Sequence, residues 1–241
     1  MTPLIDLKGL TICTPERALV EDVEMVVYPG RVTALVGPSG AGKSLTARCS
    51  MGVIDVAPGL TAGTLRYPAV DPDKDWYEGI RGGGVAANAR LLEATRHLRG
   101  SYFTYSPQAA SSALNPGRTI GRQLEIAIGR RKTAPLDMGL AIGEILADVG
   151  LDVGVAGMLP SALSGGMAQR AALAIAVAPQ PDLVVADEPE TGLDPVLRRT
   201  VVELLVRVVR GRGAGLLLIS HHEDTVDRMA DDVVRLKGVP V

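Results

Sequence analysis

Gly37-Pro38-Ser39-Gly40-Ala41-Gly42-Lys43-Ser44 decides how this chain folds. It meets the pattern G-x-x-x-x-G-K-[ST] at every fixed position. Glycines let a backbone curl so that successive N–H groups point inward and cradle phosphate oxygens. The run Gly37, Ser39, Gly40, Ala41 and Gly42 is therefore expected to wrap a polyphosphate. Lys43 would reach the β- and γ-phosphates as a point charge, and the Ser44 hydroxyl is a ligand for Mg²⁺. A helix after Ser44 would turn its positive end toward the same anion.

The flanks supply the context this pattern needs. Val32-Thr33-Ala34-Leu35-Val36 is short, apolar and rich in β-branched residues, the mark of a buried strand. Leu45 to Met51 reads as a helix. Strand, glycine loop and helix follow in that order.

Composition bounds the rest. The chain has 241 residues, 46% of them hydrophobic, enough for a substantial core in one domain. A net charge of −2 gives no basic field that would call for nucleic acid. Arg130-Arg131-Lys132 reads as a solvated helix end. The two cysteines, Cys13 and Cys49, form neither a disulfide framework nor a metal-ligand spacing, which favours a reduced compartment. The N-terminus lacks the charged head and apolar centre of a signal peptide. No apolar run approaches the roughly 20 residues that span a bilayer. With one Trp, one Phe and five Tyr, the core is expected to rest on aliphatic residues.

Outward from the loop, residues 4–12 alternate apolar and polar like a half-exposed strand, and Ala18 to Val27 gives a second. Tyr28-Pro29-Gly30-Arg31 is a turn. Gly63 to Tyr67 reads as a short strand. Residues 68–100 are hard to read: a polar, turn-rich start, a flexible Gly82-Gly83-Gly84, then a helix over Ala86 to Leu98. Ser101 to Tyr105 is a strand, and Ile120 to about Leu159 is helical, with Gly150 closing the helix over Leu140 to Val149. Ala168 to Val177 is a helix, Leu183 to Ala186 a buried strand, and Pro195 to Arg210 an amphipathic helix. Leu216 to Ile219 is a buried strand, Asp224 to Ala230 a helix and Val233 to Leu236 a last strand. Strands alternating with helices imply an α/β fold with a mostly parallel sheet.

In such sheets ligands bind at the carboxyl ends of strands. Three buried strands end in chemically useful residues. One precedes the glycine loop. A second delivers Asp187 and Glu188. A carboxylate there can hold Mg²⁺, and one beside it can polarise an attacking water. Taken alone, Asp187-Glu188-Pro189 would equally cap the next helix. The third strand delivers His221, suited to a γ-phosphate contact, or to a purely structural role if it stood alone. His222 is expected to point away. In Leu163-Ser164-Gly165-Gly166-Met167-Ala168-Gln169-Arg170, Ser164 can cap a helix whose first turn is bare of side chains. That makes a second phosphate site. One chain rarely needs two for a single γ-phosphate, so this one is read as serving a nucleotide held by another chain.

Together these segments resemble the ATP-binding subunits of ABC transporters over nearly the whole chain. Gly37–Ser44 is similar to the Walker A motif, Leu183–Glu188 to Walker B with its catalytic Glu, and Leu163–Met167 to the family signature, with Met where Gln is common. Thr191-Gly192-Leu193-Asp194 resembles the D-loop, His221 the switch histidine and Gln108 the Q-loop glutamine. Gln108 through Leu114-Asn115-Pro116, then Thr119-Ile120-Gly121-Arg122-Gln123-Leu124, looks like the dipeptide, oligopeptide and nickel importer branch.

The resemblance implies a single domain: a P-loop NTPase (RecA-like) core with an antiparallel β subdomain, at about 1–108 and 164–241, interrupted by an α-helical subdomain at about 109–163. It implies ATP as substrate and Mg²⁺ held through Ser44, Gln108 and Asp187. Glu188 and His221 would be catalytic, Asp194 would lie in the D-loop, and Ser164, Gly165, Gly166, Met167 and Gln169 would meet the partner's ATP. The implied partners are a second ATPase subunit, identical or paralogous, transmembrane permease subunits, and indirectly an extracytoplasmic solute-binding protein. The implied place is the cytoplasmic face of the cell membrane, and the implied cargo a peptide or a nickel or other metal chelate. A non-transport ABC ATPase of translation or DNA repair, or a nucleotide-binding regulatory subunit, is the alternative. Two departures stand out. Cys13-Thr14-Pro15-Glu16-Arg17 has no aromatic where the family often stacks adenine, and Glu190 replaces a small polar residue.

Overall fold

The computed structural model describes residues 1–108, 113–191 and 195–238. The chain divides into two compact units, one of Met1–Arg99 with the chain from Gly215 onward, the other of Gly100–Ala214.

In the first unit β1 (Ile5–Cys13) lies between β2 (Ala18–Val27) and β4 (Gly59–Arg66) in an antiparallel sheet. The buried side chains of β1 are Ile5 and Leu7, then Leu10 and Ile12. Their parity changes from odd to even, which in a regular strand would turn half of them out to solvent. The register to both neighbours shifts at that point, between Leu7 and Leu10 against β2 and between Lys8 and Thr11 against β4. Gly9, at φ 63, occupies the bulge. Gly63 lies so close that a Cβ there would stand 2.8 Å from the Leu10 Cα.

The same unit holds a parallel set in the order β7 (Gly215–Ile219), β3 (Val32–Val36), β8 (Asp232–Arg235). Val32 pairs with Leu216 and Leu35 with Ile219, while Thr33 to Val36 pair with Asp232 to Arg235. Every residue of β3 and β7 is buried, as continuous apolar runs in parallel sheets require. β8 pairs only with β3, and its half-exposed side chains suit an edge. α1 (Lys43–Cys49) follows the glycine loop, two residues earlier than the sequence suggests.

The segment 68–100 is more ordered than its composition indicates. Tyr67 and Tyr77 are fully buried, and each ends on a carbonyl at the close of α1: Tyr67 donates to Ser50 at 2.8 Å and Tyr77 to Cys49 at 3.0 Å. Carbonyls in the last turn of a helix lack intrahelical donors, so the two phenols act as its cap. The Asp75 carboxylate accepts from the backbone N–H of Leu65 and Tyr77, at 3.1 and 3.0 Å, and fixes the return. The core rests mainly on aliphatic residues as expected, and here a few aromatics join it, with buried Trp76 packed against Tyr67 at 5.3 Å between ring centres. Gly83 and Gly84 open α2 (Gly84–Ala94), and a short 3₁₀ turn over Arg96–Leu98 follows, so the expected helix begins earlier and breaks before its end. β4 likewise begins four residues before the expected Gly63.

In the second unit β5 (Phe103–Ser106) runs parallel to β6 (Leu183–Asp187), with Phe103 opposite Leu183 and Ser106 opposite Ala186. Around them stand α3 (Ile120–Ile128), α4 (Met138–Asp148), α5 (Gly165–Val177) and α6 (Pro195–Gly211). The helical stretch expected over Ile120 to Leu159 is thus two helices and short 3₁₀ turns, parted by the Pro-containing run after Ile128. Thr119 caps α3 on Arg122 N–H at 3.3 Å, and Asp137 caps α4 on Leu140 N–H at 2.9 Å. Gly121 lets the turn over Val153–Gly157 approach α3: a Cβ there would lie 2.9 Å from the Ala156 carbonyl. α7 (Glu223–Met229), in the first unit, completes the set. Among the described residues no helix is long and apolar enough to cross a membrane.

Burial pushes the Cys49 thiol up from 9.0 to about 12, with Arg48 opposing the shift and Asp55 adding to it. The unfolded chain therefore ionises this thiol before the folded one does. Its contribution to stability is complete below pH 9.0 and is lost as pH rises from there toward about 12. Iodoacetamide at pH 8 is expected to label half-exposed Cys13 and spare Cys49 until the protein is denatured. Peptide mass analysis checks this, and equal labelling of both in the native protein would contradict it.

Candidate functional site

The glycine loop is built by backbone geometry that only glycine tolerates easily. Gly40 and Gly42 take φ 81 and 85. A Cβ on Gly42 would fall 2.5 Å from Val20 Cγ2 and 3.0 Å from the Leu19 carbonyl, so the start of β2 presses on the loop. At the loop's first residue, Gly37, a Cβ would meet the Leu236 carbonyl at 2.7 Å. The Lys43 side chain turns back beneath the loop and is 7% exposed. Its ammonium donates to the carbonyls of Gly37 at 2.9 Å and Pro38 at 3.0 Å. Those bonds fix a positive charge inside the ring of the loop while Ser39 and Gly40 stay exposed on its crest. Ala41 is buried and its N–H returns to the Pro38 carbonyl at 3.2 Å. Ser44 is half-buried in the first turn of α1.

His221 follows β7 in the same unit and is exposed. Together with Gly37, Pro38, Ser220, Asp227 and Arg235 it lines a cavity of about 490 Å³. The structure thus brings the first arm of the glycine loop and His221 to one opening. The His222 ring lies 4.0 Å from that of His221, so it does not point away as the sequence suggests. Buried Ser220 accepts the His222 N–H at 3.1 Å and holds the pair at the strand end.

The second unit gathers the carboxylates. Asp187 ends β6 and is 3% exposed. The Tyr105 hydroxyl donates to its Oδ2 at 2.7 Å. Glu188 comes next and takes φ 45, a conformation that costs a non-glycine residue about 1–3 kcal/mol. Its Oε2 accepts from Gln108 Nε2 at 3.0 Å and from Thr191 Oγ1 at 3.1 Å. Glu190 is fully buried.

Ser164 caps α5, accepting Met167 N–H at 3.3 Å. That helix starts at Gly165, three residues before the expected Ala168. A Cβ added at Gly165 would have nothing within 4 Å, so the face beside the cap is open. Gln169 is different: its side chain is 2% exposed and donates to the Pro189 carbonyl at 2.6 Å. It faces the interior and ties α5 to the segment just after Glu188. The D-loop position Asp194 lies outside the described residues.

Sequence reasoning missed Tyr105 as a donor to Asp187, Thr191 as a donor to Glu188, and the inward role of Gln169. Thr191 carries a local signal, since it is three residues from Glu188 and its N–H closes a turn on the Glu188 carbonyl at 3.0 Å. Tyr105 carries none within its own stretch. Its partner is 82 positions away and becomes visible only through the β5–β6 register.

The family model described as ABC transporter matches residues 20–191. A Brucella ovis protein named for peptide import and ATP binding is 35% identical over 239 residues, 96% of this chain and 68% of its own. The nickel import ATP-binding protein NikD of Brucella abortus is 35% identical over 239 residues, 95% of this chain and 82% of its own. The solved structure of cbiO1 from Clostridium perfringens, part of the ABC transporter complex cbiONQ, shares the fold. Its TM-score is 0.74 at 20% identity, covering 99% of this chain and 86% of that one.

Alanine at Gly40 and at Gly42 would each carry the left-handed strain of about 1–2 kcal/mol, but only at Gly42 does the new methyl collide with β2. Gly42→Ala is therefore expected to lower the denaturant midpoint clearly more than Gly40→Ala. Chemical melts of the two variants check the order, and equal midpoints would refute the close packing of the loop on β2.

Proposed function

The chain belongs to the ABC transporter family, and from that premise we propose how its residues divide the work of an ATP-hydrolysing importer subunit. Its substrate is ATP. Gly37, Ser39, Gly40, Ala41, Gly42, Lys43 and Ser44 bind the polyphosphate. The observation that carries this is Lys43, its ammonium held inside the ring of the loop by the carbonyls of Gly37 and Pro38.

Glu188 acts as the base that polarises the attacking water, and His221 meets the γ-phosphate from the same opening as Gly37. The donors to Glu188 Oε2 keep its side chain in one orientation. Mg²⁺ suits the donors present: a buried carboxylate at the end of an apolar strand, a hydroxyl in the first turn after the loop and an amide oxygen at Gln108 are hard oxygen ligands. Asp187, Ser44 and Gln108 would hold it, and it would neutralise phosphate charge as the bond to the γ-phosphate breaks.

We assign Ser164, Gly165, Gly166 and Met167 to the nucleotide of a second ATPase subunit. The open, capped start of α5 supports this. Gln169 contributes by joining that helix to the backbone after Glu188, so that signature and base move as one piece. The chain is read as one ABC ATPase domain, with a RecA-like core at about 1–108 and 164–241 and a helical subdomain at about 109–163. Permease subunits would dock on the helical part, where Leu140, Val153, Met158 and Leu159 stand exposed. The subunit would sit peripherally on the cytoplasmic face of the membrane, with a solute-binding protein acting at a distance. The relatives' names point to peptide or nickel cargo.

Glu188→Gln is expected to keep ATP binding, lose steady hydrolysis by at least about a hundredfold and accumulate as an ATP-bound dimer. Phosphate release and gel filtration with ATP check it. Full turnover by this variant would remove Glu188 from its role.

A further inference from the structure

β5 and β6 run parallel, and Tyr105 sits opposite Val185, two positions short of Asp187. Two residues of strand are about 6.6 Å at about 3.3 Å each. A tyrosine side chain spans such a distance with its hydroxyl at the far end, where serine or threonine falls short and phenylalanine has nothing to donate. The phenol closes on Asp187 Oδ2 at 2.7 Å. That is a well-formed O–H···O bond, and a carboxylate acceptor strengthens it.

The carboxylate torsion of an aspartate is broad and roughly two-fold, so backbone placement alone does not decide which oxygen faces a ligand. One strong donor on Oδ2 removes that freedom. Asp187 is also 3% exposed, so bulk water does little to compete for the bond. We propose that Tyr105 is a positioning residue for Asp187: it fixes the carboxylate so that a set oxygen is presented to the divalent cation accompanying ATP. The inference rests on the assignment of Asp187 above and adds a residue from another strand to it.

The experiment uses Mn²⁺ as the probe on the full chain loaded with ATPγS, with free Mn²⁺ followed by electron paramagnetic resonance. Tyr105→Phe is expected to weaken Mn²⁺ binding by about tenfold, the usual scale for losing a partner of a metal ligand. The melting temperature should fall by only a few degrees, about the scale for leaving one buried acceptor without its donor, so the variant stays folded at the assay temperature. The Mg²⁺ concentration for half-maximal ATPase should rise, with KM for ATP at saturating Mg²⁺ nearly unchanged. In an Asp187→Asn background Tyr105→Phe should have no further effect on Mn²⁺ affinity. Unaltered Mn²⁺ affinity in Tyr105→Phe, or a loss that persists in full in the Asp187→Asn background, overturns the role of Tyr105 alone. If Asp187→Asn binds Mn²⁺ as tightly as the wild type, the assignment of Asp187 falls, and this inference with it.

Discussion

A strand buried on both faces has little room for a polar side chain except at its end, and that constraint organises both units. β3, β6 and β7 are buried at every position. Inside them the one polar side chain is Thr33, whose hydroxyl turns to the Val26 carbonyl, and the chemistry gathers where they stop: the glycine loop after Val36, Asp187 and Glu188 at the close of β6, Ser220 and His221 after β7. Each end then holds its polar groups by bonds made on the spot. Lys43 is fixed by loop carbonyls, Asp187 by Tyr105, and His222 through Ser220. The apolar runs make the reactive groups few, rigid and placed.

Much of this was legible because it is local. The glycine loop, the apolar strands and the helix caps each depend on residues within a few positions of one another. Ser164 as a cap and Gly150 as a stop follow from rules of that range, and both hold. β2 and β3 have the bounds that alternation and apolar content suggest. The helix starts were read late, at Leu45 and Ala168, because glycines and a charged lysine do not look like helix. At α1 the backbone continues the helix into Lys43, whose side chain serves the loop, and at α5 into two glycines that have none.

The unread parts depend on pairs far apart in sequence. The segment 68–100 looks polar and turn-rich, yet Tyr77 within it and Tyr67 just before it cap α1 from 28 and 17 positions away. The bulge at Gly9 is invisible in β1 alone, because the parity of a strand has meaning only against its neighbours. Tyr105 and Gln169 belong to the same class. A tyrosine in an apolar strand and a glutamine in an alanine-rich helix look like packing, and only the register or the fold shows the carboxylate and the carbonyl they reach.

Glu188 shows how such distant and local bonds differ in consequence. Of the two donors described above, Thr191 is three residues along and shares a turn with Glu188, so that donor travels wherever Glu188 goes. Gln108 comes from the segment after β5 and shares no turn with Glu188. A base must exchange an accepted hydrogen bond for one from water before it can take a proton. The donor with an independent backbone is the one able to yield its place, while Thr191 and the positive φ at Glu188 keep the carboxylate aimed. In the role proposed above for Glu188, the bond from Gln108 is therefore the one to be given up, without any change in the strand that presents the carboxylate.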